Sequence, residues 1–170
     1  MKKLLIALTT LLVGCGFSQT TESITHSNRG LSKHDFGDYK GAILDYNKAI
    51  ALDPKSSISY SNRGFSKHCL EDYNGAMLDY NKAIGLDPNL AIAYSNRGLS
   101  KYKLEDYNGA ALDYNKAIGL DPNLALAYNN RGLLKYKLQD YNGAILAFNK
   151  AIGLDPNLAV AYSTRGLSKH

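Results

Sequence analysis

The sequence places an arginine-glycine pair at Arg29, Arg63, Arg97, Arg131 and Arg165, with a lysine four residues after each arginine. Such a pair can belong to a phosphate cradle or a nucleic-acid contact, but a cradle needs its glycines in a loop ahead of a helix, with free backbone amides. His26, His34, His68 and His170 offer metal-ligand chemistry, Ser32, Ser66 and Ser100 are candidate nucleophiles, and Cys15 and Cys69 are the two thiols. Asn28, Asn62, Asn96 and Asn130 stand two positions before four of the glycines. Each asparagine side chain both donates and accepts hydrogen bonds.

What these residues can do depends on the elements that carry them. Asp-Pro recurs at 53, 87, 121 and 155 and Arg-Gly at 29, 63, 97, 131 and 165, both with a spacing of 34 residues. A period of that size signals a solenoid of stacked units. Residues 57–90 and 91–124 differ at six positions, and 91–124 and 125–158 at seven, so the units are structurally equivalent. Within 91–124, Ile92, Tyr94, Leu99, Tyr102 and Leu104 mark one helix, and Ala110, Leu112, Tyr114, Ala117, Ile118 and Leu120 a second. Asp106 is expected to cap the second helix, and Asp121 with Pro122 to supply the N-cap and first-turn proline of the next unit. Two amphipathic helices cannot bury their apolar faces alone, so stacking must supply the core.

This placement removes several chemistries. The Arg-Gly pairs fall inside helices, whose amides are already used, which excludes the phosphate cradle. A helical glycine costs roughly 1 kcal/mol relative to alanine, and close approach of two helices compensates for it. His34, His68 and His170 occupy equivalent positions of successive units, and packed helices lie on the order of 10 Å apart, too far to share a metal. Equivalent serines line up in a row instead of meeting a histidine and an acid. No catalytic site, metal or cofactor is therefore expected.

Composition agrees with a folded chain. The 170 residues are 45% hydrophobic, with thirteen tyrosines and no tryptophan. The net charge of +5 falls to 18 basic against 15 acidic side chains once Lys2 and Lys3 are set aside, a mild excess that does not point to nucleic acid.

Lys2 and Lys3 open the stretch MKKLLIALTTLLVGC, whose apolar run from Leu4 to Val13 is too short to span a bilayer, which takes about 20 residues. This is the pattern of a secretory signal peptide. Leu12-Val13-Gly14-Cys15 resembles the lipobox of bacterial lipoproteins. The resemblance implies that residues 1–14 are removed and that Cys15 receives a diacylglycerol, anchoring the chain in the cell envelope outside the cytoplasm. Gly16 stands where an aspartate would signal inner-membrane retention in some bacteria, which favours the outer membrane. Cys69 is then the one free thiol, either half-buried or able to pair between molecules in an oxidising space. Residues 15–22 form the lipidated cysteine and a polar tether.

The recurring tyrosine, glycine, alanine, aromatic, alanine and proline, seen in the third unit as Tyr94, Gly98, Ala110, Tyr114, Ala117 and Pro122, resemble the tetratricopeptide repeat over residues 23–170. The resemblance implies an all-α fold, a right-handed solenoid of antiparallel helix hairpins. Its repeats are 23–56, 57–90, 91–124 and 125–158, followed by a fifth first helix or capping helix at 159–170. Arg97 and Lys101 depart from the family, which often has leucine and tyrosine there. They share a helix face turned to the partner helix, where Asp45, Asp79 and Asp113 recur, so ion pairs Arg29–Asp45, Arg63–Asp79 and Arg97–Asp113 are expected. Arg131 meets Ala147 and has no such partner.

In the family the asparagine face lines a concave groove. The resemblance assigns to it Asn28, Asn62, Asn96 and Asn130, flanked by Leu31, Phe65, Leu99 and Leu133, and by His68, Tyr102 and Tyr136. Ser27, Ser61, Ser95, Asn129 and His34 line the same groove, and Ile24, Ile58, Ile92 and Leu126 extend the strip. A row of asparagines can pair with the N–H and C=O groups of an extended backbone, like the ladder by which some tetratricopeptide superhelices hold peptides. The lysine-asparagine clamp for a free C-terminal carboxylate is not visible, because isoleucine and serine stand at those positions. The expected partners are peptide segments of proteins, and the membrane through the N-terminal lipid. The alternative is an assembly subunit that oligomerises through its outer faces or its C-terminal helix, where Val160, Tyr162 and Leu167 are apolar.

Overall fold

The computed structural model describes residues 21–157. The expected signal segment with Cys15, and the expected C-terminal helix with Val160, Tyr162, Leu167 and His170, lie outside the described residues. Eight helices follow one another, with no strand among the described residues. They are α1 over residues 21–35, α2 Tyr39–Leu52, α3 Ser57–Cys69, α4 Tyr73–Leu86, α5 Ala91–Lys103, α6 Tyr107–Leu120, α7 Ala125–Lys137 and α8 Tyr141–Leu154.

Each hairpin turn is built by two local devices. The first helix ends on a left-handed residue, Gly37 in the first hairpin and Glu71, Glu105 and Gln139 in the others, with φ of 81°, 63°, 62° and 62°. That turn lets the amide of Asp72 reach the carbonyl of Lys67 at 3.0 Å, as in a Schellman ending. The aspartate then caps the second helix: Asp38, Asp72, Asp106 and Asp140 each accept from the backbone amide of the glycine three residues on, at 2.9 Å.

Between hairpins the expected arrangement does not hold. Asp121 closes the helix behind it, its amide bonding the carbonyl of Ala117 at 2.8 Å, and its side chain accepts from the amide of Asn123 at 2.9 Å. The next helix starts only at Ala125, with Leu124 at its N-cap and no side-chain cap bond. The Asp121 carbonyl accepts from the amide of Leu124, closing a turn that needs Pro122 and Asn123 inside it. The chain reverses in that turn before a new helix can begin.

The core is a repeated triplet from the second helices: Ala42, Tyr46 and Ala49, then Ala76, Tyr80 and Ala83, Ala110, Tyr114 and Ala117, and Ala144, Phe148 and Ala151, all fully buried. The aromatic ring of each triplet lies against the first-helix glycine. A methyl group on Gly30, Gly64, Gly98 or Gly132 would stand 2.8, 2.9, 2.8 or 2.6 Å from the ring of Tyr46, Tyr80, Tyr114 or Phe148. The helical glycine is thus required by the ring, as expected from the sequence.

First helices of successive units approach one another, α3 with α5 and α5 with α7, whereas α4, α6 and α8 do not meet each other. The right-handed array therefore curves with the first helices on the inside and the second helices on the outside.

Candidate functional site

The charge of the arginines decides what remains for a partner. Arg63 Nε and Nη2 donate to the two oxygens of Asp79 at 2.9 and 2.5 Å, and Lys67 Nζ lies 2.8 Å from Oδ2. Arg97 and Lys101 hold Asp113 in the same way, at 2.8, 2.6 and 2.8 Å. In the first hairpin Asp45 takes Arg29 Nε at 2.9 Å, Lys33 at 2.8 Å and His26 Nδ1 at 3.2 Å. Hydrogen bonds from Arg29 hold the Asp45 carboxyl well below the usual carboxylate range, against the opposing effect of burial. The three inferred ion pairs are present, and the lysines that the sequence left unassigned join them.

Two further contacts were not visible in the sequence. The guanidinium groups of Arg63, Arg97 and Arg131 lie over the rings of Tyr60, Tyr94 and Tyr128, 5.3, 5.4 and 5.2 Å from the centroids. Their Nη1 atoms reach back to the preceding unit, Arg63 to Asn47 at 2.7 Å, Arg97 to Asn81 at 2.8 Å and Arg131 to Asn115 at 3.4 Å. Each arginine therefore joins two hairpins. The signal was the repeated asparagine two residues after each second-helix Asp or Ala, which only the stacking geometry brings within reach.

The inner face carries the groove residues, with unequal access. Asn28 is exposed and Asn62 half-buried, while Asn96 and Asn130 are buried between first helices, at 6% and 3% exposure. Asn130 Nδ2 donates to Ser95 Oγ at 3.3 Å, and the side-chain oxygens of Asn96 and Asn129 have no hydrogen-bond partner. Leu31 is exposed; Phe65, Leu99 and Leu133 are half-buried. Between the first two units Asn28 lines a cleft with Ile24, Ser27, Ile58 and Ser59, and Ser23, Asp53 and Ser56 also line it. Ile24 and Ile58 stand exposed on its walls. Apolar contact and amide hydrogen bonding are available together there.

Aromatic rings run along the array on the first helices. His34 stacks on Phe65 at 4.8 Å, Phe65 on His68 at 6.3 Å, and Tyr39 and Tyr73 pack edge-on against the two histidines. Tyr102 and Tyr136 continue the series against Tyr107 and Tyr141.

The serines correct the sequence reading. His34 Nδ1 lies 2.9 Å from Ser66 Oγ, and His68 Nδ1 2.9 Å from Ser100 Oγ. Histidine and serine do meet, because the staggered stacking sets one first-helix position against the next unit's position two residues earlier in its repeat. Both serines are fully buried, and Ser66 Oγ already donates to the carbonyl of Asn62 at 3.2 Å. Burial lowers the pKa of both histidines, and the charge of Lys103 adds to this at His68. These pairs are inter-unit packing contacts without access for a substrate. Among the described residues, no group of three or more His, Cys, Asp or Glu side chains is placed to hold a metal.

Burial raises the hydroxyl pKa of the core tyrosines, Tyr46 to about 12. Cys69 is half-buried, and burial raises its pKa too.

A curved array of helical hairpins, each closed by a glycine against an aromatic ring, defines a solenoid scaffold. The sequence model described as TPR repeat matches residues 30–70, 69–105 and 98–139, and that of the tetratricopeptide repeat matches 125–158. The chain belongs to the tetratricopeptide repeat family. A crystal structure of the MamA protein is 27% identical, covers 86% of this chain and 80% of that one, and superposes with a TM-score of 0.67. The first TPR of Spaghetti (RPAP3), bound to an HSP90 peptide SRMEEVD, is 27% identical over 70% of this chain and 94% of that one, with a TM-score of 0.66. The second TPR domain of human RPAP3, in complex with an HSP70 peptide SGPTIEEVD, is 26% identical over 71% and 98%, with a TM-score of 0.63. No curated protein matches this chain in sequence. The family's fold is a protein-protein interaction scaffold.

Proposed function

We propose that this chain is a membrane-anchored scaffold that holds extended peptide segments of partner proteins in its inner groove. The observation that carries this reading is the cleft at the first two units, where the exposed Ile24 and Ile58 flank Asn28. Apolar anchors beside a side chain that both donates and accepts suit an extended backbone with alternating apolar side chains. The two RPAP3 domains that carry peptides support groove binding as a mode open to this fold. The accessible rungs are Asn28 and Asn62, with Leu31 and Phe65 as apolar contacts; Asn96 and Asn130, buried between first helices, are not open to a peptide. Arg29, Arg63 and Arg97 are already satisfied by Asp45, Asp79 and Asp113, which argues against nucleic acid as the partner.

Anchoring is by a lipid on Cys15, in the outer membrane of a bacterial envelope. Cys15→Ser is expected to abolish fatty-acid labelling and release the chain from membranes; unchanged labelling contradicts the anchor. For the groove, Asn28→Ala with Asn62→Ala should abolish capture of partner segments while the helical circular dichroism and melting temperature stay as in the parent. Capture that persists at full strength refutes the groove reading.

A further inference from the structure

The outer face of the array carries a pattern that the groove does not use. Leu44, Leu78, Leu112 and Leu146 occupy one equivalent position of the second helices and stand 63–72% exposed. Four residues on, one turn along the same face, stand the exposed Lys48, Lys82, Lys116 and Lys150. The only carboxylates within α2, α4, α6 and α8 are Asp45, Asp79 and Asp113, and all three are buried against the first helices. Lys48, Lys82 and Lys116 have no carboxylate within ion-pair distance among the described residues, unlike Lys33, Lys67 and Lys101 on the first helices. Exposed acids such as Glu71, Asp72, Glu105 and Asp106 sit in the hairpin turns, at one rim of the array. The outer face is thus basic and apolar, and the rim acidic.

We propose that this outer face docks on an anionic lipid surface. Leucines standing proud beside lysines that have no carboxylate partner, with only Lys150 set over a ring, that of Tyr128, match the headgroup boundary of a bilayer, which takes apolar side chains at acyl depth and ammonium groups at phosphate height. A phosphodiester strand would leave the leucines unused. A second copy of the same face would set lysine against lysine. The pattern is also the same at every step: of the thirteen differences between successive units across 57–158, none falls on these leucines or lysines. A chemically uniform partner such as a headgroup layer meets that repetition. Docking of this kind leaves the inner groove facing away from the membrane, and it stands whether or not Cys15 is lipidated.

The test uses the full chain with Cys15→Ser and Cys69→Ser, carrying one added cysteine, Leu112→Cys on the outer face or Leu31→Cys on the inner, labelled with an environment-sensitive fluorophore. Vesicles of phosphatidylcholine with phosphatidylglycerol should shift the emission at 112 to the blue and leave 31 unchanged. Phosphatidylcholine alone should shift neither. Lys82→Glu with Lys116→Glu should weaken binding to the acidic vesicles by about fivefold or more per lysine, and raised salt should weaken it as well. An equal shift on neutral vesicles, no shift on acidic vesicles, or a shift that grows with protein concentration in the absence of lipid each overturns the proposal; the last assigns the face to a second copy. Circular dichroism of each labelled chain confirms that the helices persist.

Discussion

The first three hairpins and the fourth close the same gap with different chemistry. In the first three, a buried aspartate on the second helix receives an arginine and a lysine from the first helix. In the fourth, Ala147 and Phe148 replace the aspartate and tyrosine, both buried, and Lys135 turns instead to Asp140 at 2.8 Å. Arg131 keeps its ring contact with Tyr128 and its bond to Asn115. The seams between units change in step: His34 and His68 bond Ser66 and Ser100, whereas Leu134 packs with Tyr102 and Tyr114. The element common to all four hairpins is the ring against the glycine. That contact makes the hairpin; the ion pair is a substitutable filling, but where the carboxylate is buried its partners have become necessary to it.

The sharpest way to break this contrast is Asp113→Ala, which leaves Arg97 and Lys101 half-buried without their counter-charge. It should cost about 3 kcal/mol in chemical denaturation, whereas a surface ion pair would cost under about 1. Next, Gly98→Ala forces a methyl against the Tyr114 ring and should cost about 2 kcal/mol. The same change at Gly132 should cost at least as much, because Phe148 is closer still. Conversely, Ala147→Asp places a carboxylate where Arg131 and Lys135 can reach it and should add about 1 kcal/mol, read as a raised denaturation midpoint; loss of stability there would show that the fourth hairpin has repacked beyond rescue.

The seams give a smaller, pH-dependent difference. Burial lowers the folded pKa of His34 and His68 below the ordinary 6.5, so the folded state binds fewer protons than the unfolded one as pH falls through that value. Their contribution is complete above about pH 6.5 and is lost as pH falls below it. The melting temperature should drop between pH 7 and 5, and His68→Tyr with Ser100→Leu, which copies the third seam, should flatten the drop. The smallest effect is at the left-handed turn: Glu105→Gly should stabilise by about 0.5 kcal/mol, since glycine adopts that φ without strain and already stands at Gly37 in the first hairpin.

Much of this was legible in the residues because the repeat reports each position several times. The period gave the hairpins, the helical glycine announced the close approach, and the recurrence of arginine with aspartate gave three ion pairs. Contacts between units were harder to read, because periodicity fixes what lies within a repeat but not how one repeat is staggered on the next. That stagger sets His34 on Ser66 and Arg63 on Asn47, and it closes first helices over Asn96 and Asn130 while leaving Asn28 open. Asp121-Pro122 was misplaced for a related reason: aspartate before proline suits both a helix start and the turn that ends one, and only the direction the chain must take decides between them.

On the proposed function the inner face, and not the outer, receives protein. A photoreactive amino acid placed at Leu31 and, separately, at Leu112 in intact cells tests it most directly, with the adducts identified by mass spectrometry. Adducts at Leu31 to contiguous stretches of partner protein, lost with Asn28→Ala and Asn62→Ala, are expected, with no protein adducts at Leu112. Protein adducts from Leu112 with none from Leu31 would contradict it.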